Sequence, residues 1–198
     1  MPPARVARWF ENFGSRHGAT SFGVTDGSLV GSAADGSSFA ASLPFSGSYA
    51  GPAEVAGFVL ACAPPQDWGI LLVRKGGFAV ARLSGTGFVS SKVGQRHVQG
   101  RTKAGGQSQQ RFARRRDNQA RAAYEAAAEH AVRLIGAVPV LVVGGDAPAV
   151  AAVLEDRRLA PLGDRVVGGF LAVADPRRAV LEEAVLDACS ARMSVVNA

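Results

Sequence analysis

The sequence has only two cysteines, Cys62 and Cys189, and three histidines, His17, His97 and His130, among its 198 residues. Two isolated thiols exclude a disulfide framework and a paired-cysteine zinc site. They read as small buried side chains in a reducing compartment. The histidines lack metal-ligand spacing, so neither a metal nor another cofactor is expected. His130 falls in a helical stretch and reads as structural. No apolar run approaches the roughly 18 residues of a membrane span. The opening Met-Pro-Pro-Ala-Arg soon meets Glu11 and Asn12, without the apolar core of a signal peptide. The expectation is a cytoplasmic protein with no membrane contact.

Acidic residues are also missing from one long window. Residues 92–116 hold no Asp or Glu and eight basic side chains: Lys92, Arg96, Arg101, Lys103, Arg111, Arg114, Arg115 and Arg116. The chain as a whole carries a net charge of +6; outside this window 14 of its 22 basic residues face 16 acidic ones, a net of −2. The basic excess is therefore local. A concentrated positive segment points to an anionic partner and says nothing about fold. With 47% hydrophobic and 19% charged residues, the chain is long and apolar enough to bury a core, as one domain or a domain with a small appendage.

Val6, Trp9, Phe10 and Phe13 recur at helical spacing over residues 4–13. Phe22 to Val30 and Phe39 to Phe45 read as two strands around the turn signal Asp35-Gly36. Residues 52–62 form a short helix before Pro64-Pro65. Ile70 to Val73, Gly77 to Leu83 and Thr86 to Ser91 read as a three-stranded meander. Apolar patterning then stops: Gly94 to Gln110 offers glycines and hydrogen-bond donors with almost nothing to bury. Such stretches are often functional, and this one is expected to be flexible. From about Gln109 to Ile135 the pattern is helical. Phe112, Ala120, Ala123, Ala127, Ala131 and Leu134 share one face, and Arg111, Arg114 and Arg115 another. Val138 to Val143 and Gly169 to Ala174 read as strands. Asp146 stands as a helix cap, and Asp175-Pro176 opens a last helix striped with Val180, Leu181, Ala184, Val185 and Ala188. Gly144-Gly145-Asp146 could also hold an anion at a helix start, although a plain strand-to-helix turn explains it as well. Alternating strands and helices predict an α/β fold, with α+β as the variant, built on a mixed sheet flanked by helices.

Inside the acid-free window lies Gly105-Gly106-Gln107-Ser108-Gln109-Gln110-Arg111-Phe112-Ala113-Arg114. This resembles the catalytic loop and following helix of the eukaryotic and archaeal peptide-chain release factors, in their central hydrolytic domain. The likeness covers roughly residues 70–145, with the meander before the loop and the apolar strand after the helix. Val98-Gln99-Gly100-Arg101-Thr102 before the loop and Ser108 to Arg116 after it are similar to the release-factor-like domain of the Vms/ANKZF type, in its actinobacterial-looking form. The looser Gly-x-x-Gln signature of that family fits Gly106-Gln107-Ser108-Gln109. The catalytic glutamine is thus Gln107 or Gln109, with Gln107 first because it also satisfies Gly-Gly-Gln.

The resemblance implies a release-factor-like hydrolytic domain over residues 66–198 bearing the basic loop 92–116. Residues 1–65 would be an N-terminal helix and β-hairpin layer integral to the same domain. The implied activity is hydrolysis of the peptidyl-tRNA ester on stalled large ribosomal subunits. The implied partners are the large subunit, ribosomal RNA and peptidyl-tRNA, with no DNA, and the chain would act as a monomer. No segment resembles a codon-reading domain, so rescue independent of codons fits better than stop-codon termination. Two other readings compete: a non-catalytic ribosome- or RNA-binding module, and a nuclease acting at the tRNA 3′ end.

Overall fold

The computed structural model describes the backbone of residues 1–95 and 107–198, and the side chains of residues 1–94 and 120–198. In chain order the elements are α1 (Pro3–His17), β1 (Thr20–Thr25), β2 (Ser28–Ala33), β3 (Ser38–Ser42), α2 (Val55–Ala61), β4 (Trp68–Arg74), β5 (Gly77–Ser84), β6 (Gly87–Gln95), α3 (Gln107–Ile135), β7 (Leu141–Gly145), α4 (Ala147–Leu154), α5 (Arg178–Ala188) and β8 (Arg192–Val196). They form two compact units, residues 1–65 with 185–198, and residues 66–184.

In the first unit an antiparallel sheet runs β1-β2-β3-β8. The sequence reads Phe22 to Val30 as one strand, although Asp26-Gly27 within it resembles turn chemistry, and the chain reverses at that pair. Asp26 and Gly27 take φ of 50° and 70°, the two left-handed residues of a tight hairpin turn whose twist suits antiparallel strands. The Asp35-Gly36 hairpin forms as expected, with the Asp35 carboxylate accepting the Ser37 N–H at 2.9 Å. Its second strand closes at Ser42, short of Phe45. The helical stripe of α1 buries Val6, Phe10 and Phe13 in a core with Leu29, Phe39 and Phe58. Phe10 meets Phe39 and Phe58 edge-on, with centroids 5.3 and 5.9 Å apart, a preferred geometry for aromatic quadrupoles.

The second unit carries the mixed sheet, in the order β6-β5-β4-β7. Strands β4, β5 and β6 form the expected antiparallel meander, and β7 joins β4 in parallel. Central β4 is buried from Trp68 through Val73. Burial on both faces explains why it reads as a continuous apolar run instead of alternating. Helix α3 lays Ala127, Ala131 and Ile135, at four-residue spacing, into one core with Leu71, Val73, Phe78 and Val80, and Ala123, one turn earlier, is buried as well.

Two strand expectations change. Leu141 to Gly145 is a strand, but Val138 to Val140 is not: the Val138 N–H closes the helix end on the Ile135 carbonyl at 3.2 Å, and Pro139 has no N–H to offer a ladder. Gly169 to Ala174 makes no strand either. The chain touches β7 at two isolated parallel bridges, Leu141 with Val166 and Gly144 with Leu171. Three steps along β7 therefore match five along its neighbour, and the excursion passes through Gly168 at φ 79°. A continuous ladder needs equal steps. The mixed α/β architecture flanked by helices is otherwise as the sequence predicts.

Candidate catalytic loop and nucleic-acid interface

One end of the second sheet gathers the ends of β4 and β6, the start of β5 and the end of β7, since Gly77 pairs with both Arg74 and Gln95 while Val73 pairs with Gly145. Helix α3 runs antiparallel to β4. Near its C-terminus Ile135 lies against Gly69, where a Cβ would sit 3.0 Å from the Ile135 Cγ2. Farther back, His130 lies against Phe78 with ring centroids 5.6 Å apart. Between Ala123 and Gln107 the helical rise carries the backbone about 24 Å further along the axis.

The sequence-derived site residues fall into three groups. Lys92 is on β6 and exposed. Gln107, Gln109, Arg111, Arg114, Arg115 and Arg116 belong to the first turns of α3 by backbone; their side chains lie outside the described residues. Arg96, Arg101, Lys103, Gly105 and Gly106 also lie outside them, as does the expectation of a flexible segment. One boundary is corrected. The loop was expected to run to Gln110, but the helix begins at Gln107, so both candidate glutamines stand in its first turn. The first four N–H groups of a helix lack intrahelical acceptors, and the macrodipole there is positive.

On the α3 side of the sheet, Val80 pairs with Lys92 and Phe78 with Gly94. Paired residues share a face and alternate residues return to it, so Lys92 rises from the edge strand on the side that α3 covers. His130 lies near enough to feel its charge, and Arg133 reaches the same ring. The Arg133 guanidinium donates to Nδ1 of His130, which fixes the imidazole as an acceptor and hence neutral. Burial, then the charges of Arg133 and Lys92, push the His130 pKa below its ordinary value, and Glu129 opposes them. Glu129 stands four residues before Arg133, the favourable order for an intrahelical ion pair. It is instead held by Arg158 at 2.6 Å, and Arg158 also binds Asp156 at 2.7 Å. Sequence reasoning missed Arg133 because only the fold sets His130, the ring it reaches, near Lys92.

At the β4–β7 side of the same end, the anion reading of Gly144-Gly145-Asp146 does not hold. The Gly145 N–H donates to the Leu171 carbonyl at 2.9 Å, and the Asp146 N–H to that of Val73 at 2.8 Å. Asp146 occupies the cap position of α4, but its side chain makes no capping bond. It faces Arg74, whose Nε lies 3.4 Å from Asp146 Oδ1 and 3.7 Å from Asp175 Oδ1. A further Arg74 N–H donates to the Val173 carbonyl at 3.0 Å. These contacts hold the sheet end together and leave no free amide cradle at Gly145 and Asp146.

Cys62 and Cys189 are buried, and burial pushes both thiols up to about 11, far from nucleophilic thiolates. Among the described residues no group of three His, Cys, Asp or Glu side chains could hold a metal ion, and no helix is long and apolar enough to cross a membrane.

A mixed sheet whose meander leads through a basic, glycine-bearing segment into a long helix defines a release-factor-like protein. The chain belongs to the Actinobacteria/chloroflexi VLRF1 release factor family, whose model matches residues 66–194. The match begins at the start of the second unit and runs into β8. No curated protein matches the chain.

Proposed function

We propose that this protein hydrolyses the ester between a nascent chain and tRNA on stalled large ribosomal subunits, in the cytoplasm and without reading a codon. The observation that carries the proposal is Gly105-Gly106-Gln107 running into the basic start of α3, in a member of a release-factor family.

Hydrolysis adds water to the ester carbonyl and breaks its bond to the ribose 3′ oxygen, giving a peptide carboxylate and a free tRNA 3′ hydroxyl. The transition state places negative charge on the former carbonyl oxygen, so donors aimed at that oxygen accelerate the reaction. Gly105 and Gly106 allow the backbone to enter a narrow RNA cavity in conformations closed to other residues. Gln107 supplies a side-chain amide to hold water or the leaving ribose, and a backbone N–H for the oxyanion. Gln109 is the alternative under the looser signature. The helix start supports this role, since its free N–H groups and positive dipole favour developing negative charge. Lys92, Arg96, Arg101, Lys103, Arg111, Arg114, Arg115 and Arg116 hold phosphates of ribosomal RNA and tRNA, which positions the loop without reading sequence.

The test is release of labelled peptide from large subunits carrying peptidyl-tRNA, followed by sizing of the tRNA product. Release with an intact tRNA 3′ end is expected. A shortened tRNA would establish the nuclease reading instead, and tight salt-dependent binding without release would establish the non-catalytic one.

A further inference from the structure

We propose that Lys92, Arg133 and His130 form a second phosphate contact, on the folded face of the sheet edge, which grips the RNA behind the catalytic loop. The inference rests on the ribosomal reading above and extends its interface to residues of the C-terminal half of α3.

Three observations carry it. The strand register puts Lys92 on the α3 side of edge strand β6, exposed and two residues before the Gly94 that pairs with Phe78. His130 packs against Phe78 from the helix, and Arg133 reaches His130 from one turn further on. Strand and helix thus bring two exposed cations within reach of one neutral imidazole, which holds one of them. The acid one turn before Arg133 is also withdrawn. Glu129 is the natural intrahelical partner of Arg133, yet Arg158 binds it in a network closed by Asp156. Among the described residues neither Lys92 nor Arg133 pairs with a carboxylate.

Cations left beside a tethered acid favour a ligand that brings its own negative charge. A guanidinium and an ammonium together suit phosphate oxygens, the first through its planar fork and the second as a point charge. Continuity selects RNA as the source. Lys92 opens the acid-free window 92–116, so the patch lies where that window leaves the sheet. One nucleic-acid backbone could cross the patch and continue toward the start of α3.

The test measures binding of the full chain to large subunits carrying peptidyl-tRNA, over a salt series, for wild type and for Lys92→Gln, Arg133→Gln and their double variant. Arg157→Gln, an exposed arginine of the α4–α5 connection, serves as control. Each lost phosphate contact should lower the slope of log affinity against log salt by about 0.7–0.9. The double variant should bind about tenfold more weakly near physiological salt, with a slope reduced by about 1.5, while Arg157→Gln matches wild type. Thermal unfolding of each variant separates lost contact from lost fold. Wild-type affinity and slope in a folded double variant would overturn the patch, even if peptide release by the wild type upholds the underlying reading. Absence of both binding and release by the wild type would overturn the reading itself. A deficit with whole subunits that vanishes on protein-free large-subunit RNA would assign the patch to an acidic ribosomal protein and overturn the RNA assignment.

Discussion

The ring of Phe78 lies directly over the Cα of Gly94, its partner across β5 and β6, so closely that a Cβ at position 94 would collide with the ring. The same ring packs against His130 of α3 at a tilt of 31°. One aromatic side chain thus joins the last turns of the edge strand to the helix. Gly94→Ala should destabilise the fold by about 1–3 kcal/mol, the usual cost of overpacking. Phe78→Leu in the same chain should recover part of that loss. Urea unfolding of both single variants and the double gives the coupling. Simple additivity of the two changes would show that the ring does not set the cost at position 94.

Changing Gln107 and Gln109 separately distinguishes the two signatures that the sequence satisfies. Gln107→Ala is expected to slow peptide release about 100-fold or more, the scale of losing one oxyanion donor. Gln109→Ala should leave most of the rate. Both should bind subunits as wild type does, because neither is charged. The opposite pattern of rates would move the catalytic role to Gln109.

Arg158 should influence RNA affinity without touching RNA. Arg158→Gln releases Glu129, which can then pair with Arg133 along the helix. The expected result is weaker subunit binding and a shallower salt slope than wild type, restored when Glu129→Gln is added. Failure of the second substitution to restore binding would mean that Arg158 acts by another route.

Acid should weaken the fold through two kinds of group. His130 has a folded pKa below its unfolded value of 6.5, chiefly through burial. The unfolded chain therefore takes up its proton first, and stability falls as pH drops through about 6.5. His130→Gln should flatten thermal stability between pH 7 and 5. Asp156 is held at about 2 by hydrogen bonds from the Arg158 side chain and backbone. Its contribution is complete above the unfolded value of 3.8 and is lost as pH falls toward 2. Asp156→Asn should remove the part of the decline lying below pH 4 and leave the part near pH 6.

The thiols provide a readout of global opening. With both pushed up to about 11 by burial, Cys62 and Cys189 should resist a thiol reagent at pH 8 in the native chain. Two equivalents should react after denaturation in urea. Rapid native labelling of either would contradict its burial.

The meander and α3 are legible in the sequence because their signals are local. Val73, Phe78 and Val80 carry strand propensity, and alanines at four-residue spacing draw a helical stripe. Asp26-Gly27 is an equally local signal, but the apolar residues Phe22, Val24, Leu29 and Val30 on either side hide the reversal between them. Gly169 to Ala174 fails for a nonlocal reason: its residues are apolar enough for a strand, but the mismatched steps against β7 exist only in three dimensions. Strand β8 escapes because only pairing with β3 makes it a strand; Phe39 is opposite Val195 there. The site divides in the same way. Gly105-Gly106-Gln107 and its arginines are read directly from the sequence. Arg133 requires the strand register, the turn of α3 and the diversion of Glu129 to Arg158.

The alanine stripe of α3 has a mechanical consequence. The helix whose Ala123, Ala127 and Ala131 are buried is continuous with the turn holding Gln107. Over a lever arm of about 24 Å, a tilt of about 5° at the seat displaces that turn by about 2 Å. Displacements of about 1 Å can cost two orders of magnitude in rate. In the proposed reaction, aiming the glutamines is thus partly the task of three methyl groups far from the ester, and their small size is what keeps the lever level.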